Sequence, residues 1–385
     1  MPVRMRARRR DEEHRTATPL ELFFDLCFVV AIAQAGRQLA HALAEGDPGH
    51  GLFGYLMLFF AIWWAWMNFS WFASAYDTDD PLYRVVTLVQ MAGVLILAAG
   101  VPRAFTGSDF TLVWFGFLVM RLAMVAQWLR AAHGSRGAER RTALSYALGV
   151  TVCQVGWLGL LLLPQGDVPW VFLCVGALEL AVPGLAERPW RTSWHAHHIA
   201  ERYGLFTLIV LGETIAAATL AAQSALDEHD EPSSLLPLAG GGLLLVFAAY
   251  WIYFAVPVHR HLRSNRQAFL WGYGHYLVFG SAAAVGAGIE VVVEESSGRA
   301  RLSAFGAAAC VTVPYAVFLC TVWLIHSRHH KRGAAQQLVL PVSALLVLAC
   351  TLAGRAAVPA AGLVAAAAVA AGVHLTSRQG AAPVE

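Results

Sequence analysis

The chain has 385 residues, 58% hydrophobic and only 14% charged, with a mean hydropathy of +0.56 and a net charge of +2. A soluble domain carries about 25% charged residues, so this composition excludes a string of water-coated globular domains and places most of the chain in a bilayer. The six cysteines sit singly in apolar segments, which indicates neither a disulfide framework nor a Cys/His metal site.

A basic stretch from Arg4 to Arg15 comes first. The apolar segment after it has full spanning length and no small-residue cleavage pattern, so it is expected to be a retained first helix rather than a cleaved signal. A hydrocarbon core about 30 Å thick needs about 20 apolar residues. Twelve windows meet that length: 19–42, 51–73, 83–102, 110–130, 143–163, 169–187, 199–222, 236–257, 267–289, 303–325, 336–353 and 357–375. Turn residues punctuate them at Gly46-Asp47-Pro48-Gly49, Asp80-Pro81, Pro164-Gln165-Gly166, Pro232 and Ser296-Ser297-Gly298. The expected fold is all-α, a polytopic transmembrane bundle of about 12 helices. Its parts would be a basic cytoplasmic tail (1–18), a six-helix half (19–187), a second six-helix half (188–375) and a cytoplasmic C-terminal tail (376–385).

The cations give an independent check, because cytoplasmic loops collect Lys and Arg. With the N-terminus cytoplasmic and alternate connections assigned in turn, 21 of the 27 basic residues fall on that side and four on the other. The short outer connections leave no room for an extramembrane domain, and one is acidic (Asp227, Glu228, Asp230, Glu231). This predicts a multi-pass protein of the bacterial inner membrane with both termini cytoplasmic. A basic stretch, a glutamate and an apolar helix open at His14 and again at His195. Each set is followed by an aromatic helix (Trp63-Trp64-Ala65-Trp66, then Tyr250-Trp251-Ile252-Tyr253). An offset of six helices would make two parallel repeats, as in many transporters.

Ionisable groups inside a bilayer are expensive and by default functional. In the first helix Thr18-Pro19-Leu20-Glu21 fits an N-terminal cap, which accounts for Glu21. Asp25, one turn deeper on the same face, is no cap and needs a partner. Gln34, Arg37, Gln38 and His41 form a second stripe nearly opposite. In the second helix the run from Trp63 to Phe72 reads as interfacial belt and packing, with Asn68 as an interhelical hydrogen-bonder. Before the third helix Asp80 fits an N-cap ahead of Pro81, while Asp77 and Asp79 face the cytoplasm within reach of Arg84 or the seventh helix. Arg121, Glu179 and Glu213 sit near the midpoints of the fourth, sixth and seventh helices. A buried pair of Arg121 with one or both acids would tune a proton or ion site, or would simply fix helix register. For Glu213 both readings stand, and for Glu179 the register reading is the better. The seventh helix opens with His195-Ala196-His197-His198, then Glu201 and Arg202. His198 and Glu201 share a face, but a metal site needs further ligands from elsewhere, so no metal and no cofactor is assigned. There is no nucleotide loop, nucleophile elbow, HExxH or haem-ligand signature.

Glu21-Leu22-Phe23-Phe24-Asp25-Leu26 with Phe28-Val29, Asp77-Thr78-Asp79-Asp80, and His198-Ile199-Ala200-Glu201-Arg202-Tyr203-Gly204-Leu205-Phe206 running to Leu211-Gly212-Glu213 resemble the bacterial low temperature requirement protein A family. The resemblance spans about residues 12 to 375 and departs from the family pattern at Cys27. It implies a multi-helix inner-membrane protein named for a link to growth in the cold, and no particular reaction. The first-helix motif is also similar, over a shorter stretch, to that of a potassium-channel family built from two six-helix repeats.

The sequence thus favours a non-enzymatic transporter or channel-like protein, with Asp25, Arg121, Glu179 and Glu213 as its polar core. Glu21, Asp77, Asp79, Asp80, Arg84, His198, Glu201 and Arg202 form a cytoplasmic-rim motif. Its partners would be the lipid bilayer and protons, cations or a small solute, not nucleic acid. The alternative is a membrane-embedded enzyme on lipid-linked substrates, or a non-catalytic envelope scaffold.

Overall fold

The computed structural model describes residues 4–8, 12, 15–107, 109–162, 168–228, 235–331 and 333–380, with the backbone alone at 160, 168, 221–222, 224–228 and 378–380. The expected breaker at 164–166, the acidic residues Asp230 and Glu231 with Pro232, and Arg9, Arg10, His14 and Arg332 lie outside the described residues.

Among the described residues twelve α-helices follow one another: α1 (Pro19–Ala44), α2 (Pro48–Tyr76), α3 (Pro81–Gly107), α4 (Thr111–Gly134), α5 (Gly137–Leu160), α6 (Val168–Ala186), α7 (Ala196–Glu228), α8 (Leu236–Phe254), α9 (Asn265–Ser296), α10 (Ala304–Ile325), α11 (Ala334–Cys350) and α12 (Ala357–Gly380). Among the described residues there is no strand. Each helix overlaps one of the apolar windows, most of them extended by a few residues, while α5, α6, α8 and α11 end before their windows do. Ten stretches of the described residues are long and apolar enough to cross a membrane. The last of these, Ala334–Ser377, is folded in two by a 3-10 stretch in which Gly354 takes φ +56°, a left-handed conformation that glycine adopts without steric cost, so α11 and α12 are separate helices. Gly137–Leu160, which begins with Glu139, Arg140 and Arg141, is not among the ten.

The chain gathers into two compact units, whose borders fall inside α1, α2 and α7. The first holds Met1–Ala35 and Met57–Tyr203. There α3 packs on α4, α4 on α5 and α5 on α6. The α3/α4 crossing is close because Gly93 and Gly116 meet across it; a Cβ at either would run into the facing backbone. Aromatic contacts fill the unit, among them Phe24 with Phe69 (3.9 Å between ring centroids) and Trp128 stacked on Tyr146 (4.1 Å).

The second unit holds Gly36–Leu56 and Gly204–Glu385. There α9 packs on α10, α8 on α12, and α10 on α11. Gly288 lies directly on the Cys310 carbonyl, which is the close approach that joins α9 to α10. Both units are apolar outside as well as inside: Leu148, Val155, Trp170, Leu236, Leu345 and Leu352 all point outward. In water each would cost about 25 cal/mol per Å² exposed. Repeated along almost every helix, they form the lipid-facing surface of an integral membrane protein with many spans.

Candidate functional site

The start of α1 is built as its sequence dictates. Thr18 and Glu21 form a reciprocal capping box: the Glu21 carboxylate accepts from the Thr18 N–H (2.8 Å) and Thr18 Oγ1 accepts from the Glu21 N–H (3.3 Å). Glu21 has a second role that capping does not require. Its carboxylate lies 3.2 Å from His198 Nε2 and 3.0 Å from Arg202 Nη1. One turn deeper, Asp25 accepts from Arg202 twice, from Nη2 at 2.5 Å and from Nε at 3.2 Å, the fork geometry that suits arginine to a carboxylate. The Trp66 indole N–H of α2 completes Asp25 at 2.7 Å. His198 and Arg202 are four residues apart on α7 and so share one face.

Glu21, Asp25, His198 and Arg202 are all fully buried, and all lie in the first unit. Two carboxylates thus meet one guanidinium. With a neutral imidazole these four residues carry one excess negative charge, which one bound proton cancels and which the buried Arg15 guanidinium, acting on Glu21 and His198 from the covering layer, partly offsets. Glu21 Oε1 and Arg202 Nη1 face each other at 3.0 Å as an ion pair without hydrogen-bond geometry, while His198 Nδ1 and the Tyr83 hydroxyl are buried without a hydrogen-bond partner.

A second layer covers this group. Arg15 donates to the carbonyls of Ala73 (2.6 Å) and Ser74 in the last turn of α2 and lies 3.7 Å from Asp77. Arg8 lies 3.5 Å from the same aspartate. Burial and repulsion from Glu21 push the Asp77 carboxyl above its ordinary range, against the pull of Arg15 and Arg8. Burial, reinforced by Arg8, lowers the Arg15 guanidinium. Glu201 accepts from the Ala17 N–H at 3.2 Å, and His195 Nε2 lies 2.9 Å from the Glu12 carbonyl, so the described residues before α1 are packed onto the start of α7. Asp79, at φ +44°, pairs with Arg84 at the surface and is held below the usual carboxylate range chiefly by that hydrogen bond. Asp80 caps α3 through the Tyr83 N–H (2.9 Å) and also pairs with Arg130 of α4.

A third cluster lies deeper in the first unit. Arg121 Nη2 donates to Glu179 at 2.5 Å, while Trp64 (2.7 Å) and Trp157 (3.1 Å) donate their indole N–H groups to the same carboxylate. Arg121 and Glu179 are both buried, one cation to one anion. Glu213 belongs to the second unit, where it is half-buried on α7 and Arg37 of α1 is the charge acting on it.

The structure therefore brings Asp25, Glu21, His198 and Arg202 together, and Arg121 with Glu179, while Glu213, in the second unit, feels the charge of Arg37. The Trp63–Phe72 run is more than belt and packing, because Trp64 and Trp66 donate buried hydrogen bonds to Glu179 and Asp25. Asn68 donates within its own helix, to the Trp64 carbonyl at 2.7 Å. Sequence reading also missed Arg15, hidden in a basic stretch whose other members give no cue to its burial. Among the described residues no three His, Cys, Asp or Glu side chains converge as a metal site.

A family model described as bacterial low temperature requirement A protein matches residues 16–373. An uncharacterized protein of Rhizobium meliloti (strain 1021) is 27% identical over 259 residues, which are 64% of this chain and 60% of that protein. The chain thus spans about three fifths of the curated relative it matches. With the match running from the capping box of α1 to the last helix, and taking in all the carboxylates of the buried clusters, the chain belongs to the bacterial low temperature requirement A family.

Proposed function

We propose that this protein is a transporter or channel-like protein for an ion or small solute, in which the Glu21–Asp25–His198–Arg202 group holds an exchangeable proton or cation. One observation carries the reading: a fully buried cluster has one more carboxylate than guanidinium, and His198 Nδ1 lacks a partner beside it. Buried polar atoms are almost always satisfied, and an uncompensated charge in a bilayer is costly. A cluster one proton short of neutrality is therefore suited to taking up and releasing that proton. In this mechanism His198 and Glu21 share the proton across their 3.2 Å contact, while Arg202 holds Asp25 and Glu21 in place. The 21-to-4 distribution of cations supports a cytoplasmic N-terminus in the inner membrane, which puts the cluster near the cytoplasmic face.

The test is ion flux in proteoliposomes with pH- and potassium-sensitive dyes, comparing wild type with Asp25→Asn and His198→Gln. Flux in wild type that is lost, or loses its pH dependence, in folded variants supports the reading. A second reading is favoured by the position of the cluster in the first two turns of α1 and α7 rather than at mid-helix. It is a membrane enzyme on lipid-linked substrates, or an envelope scaffold needed for growth in the cold. Variants that fail to grow at low temperature while wild type moves no ion would support this reading against transport.

A further inference from the structure

The second unit contains a lateral groove of 830 Å³ between α8, α11 and α12, closed at one end by the segment after α10. Its walls are apolar, with Trp251 and Phe254 from α8, Leu340 from α11 and Val373 from α12, and its end carries His330 and Lys331. On α12 the lining runs from Ala368 to Ser377, a depth of about 13 Å at 1.5 Å per residue.

Its charge is one-sided. Lys331 is the single lysine among 27 basic residues, and no ion pair joins it to any described residue. Burial lowers its ammonium. Burial first, and then the bases His261, His329 and Arg260, push His330 down to about 4. None of the residues that line the groove, from α8, the segment after α10, α11 and α12, is an aspartate or glutamate. A partly buried cation with no counter-ion among the described residues, at the polar end of an apolar slot that opens to lipid, asks for an anion with a hydrocarbon tail.

We propose that this groove binds an anionic glycerophospholipid of the surrounding bilayer, with its phosphate on Lys331 and His330 and its upper acyl chain against Trp251, Phe254 and Leu340. Basic pockets between membrane helices recognise acidic headgroups in this way. Lysine acts on phosphate as a point charge, so the site selects net negative charge rather than one headgroup shape.

Trp251, which is 53% exposed in the groove wall, provides the readout. The full chain is reconstituted in phosphatidylcholine vesicles containing brominated phosphatidylglycerol or, separately, brominated phosphatidylcholine. The quenching lost in Trp251→Phe gives the groove component. That component is expected to favour phosphatidylglycerol about fivefold, the effect of about 1 kcal/mol for one cation near the headgroups. The preference should vanish in Lys331→Gln and persist in Lys331→Arg. Equal quenching by both lipids would mean ordinary annular contact and overturn the proposal. A preference that survives Lys331→Gln, or a Trp251 shielded from both lipids by a second copy or another helix, would overturn it too.

Discussion

Two buried charge clusters of the first unit use the same parts and reach opposite balances. Arg121 and Glu179 are matched one to one, and two tryptophans saturate the carboxylate that remains. Glu21 and Asp25 share a single arginine, and the remaining charge falls to a histidine whose second nitrogen is empty. A pair that is neutral, with its carboxylate fully occupied and only Arg121 Nε unpartnered, has no charge left to balance and serves as a latch between α4 and α6. A cluster short of one positive charge can change its protonation without coming apart. Burial alone does not separate the two, because both are inaccessible; stoichiometry does.

The comparison breaks most visibly at Arg202. Arg202→Gln leaves two buried carboxylates without a cation, and loss of one partner of a buried ion pair costs about 3–5 kcal/mol. The variant is expected to lose its thermal transition in detergent or to fail to accumulate in the membrane; wild-type melting would remove Arg202 from the centre of the cluster. A smaller effect distinguishes a latch from a working site. Arg121→Gln alone should cost about 3 kcal/mol, whereas Arg121→Leu with Glu179→Leu should recover most of it, since apolar replacement of a buried pair is often neutral. Melting curves of the single and double variants test this, and a double variant no better than the single would mean that the pair does more than hold α4 to α6.

The smallest effect is a pH slope at the covering layer. An aspartate raised on folding binds its proton more tightly folded than unfolded. Its contribution is full below the unfolded value of about 3.9 and is lost as pH rises through the raised one. Asp77→Asn should flatten the decline in stability above about pH 4, read from melting midpoints across pH 4–8; parallel curves for variant and wild type would refute it.

Helix number and placement were legible because a bilayer demands a fixed length of apolar chain, a demand that the fifth helix, with Glu139, Arg140 and Arg141 in its first turns, meets least well. The caps at Thr18 and Asp80 were legible because their hydrogen bonds close within three residues. Asp25 announced a missing partner, but Arg202 lies 177 residues away and read as part of a rim. Depth along a helix can be counted in sequence, while direction around it across a bundle cannot. That is why Arg121 could be matched with either Glu179 or Glu213, and why only coordinates place Glu213 with Arg37. The indoles of Trp64 and Trp66 stayed hidden because a buried tryptophan is ordinarily a packing residue, and its N–H matters only once an acceptor faces it.

The distance from Asp25 to Arg202 also constrains how the protein is made. Synthesis proceeds at about 5–20 residues per second, so the 177 residues between them take about 10 to 35 seconds to emerge. Through that interval α1 carries Glu21 and Asp25 with their arginine not yet translated. The first helix must therefore wait protonated, or be sheltered beside the insertion machinery, until the seventh arrives.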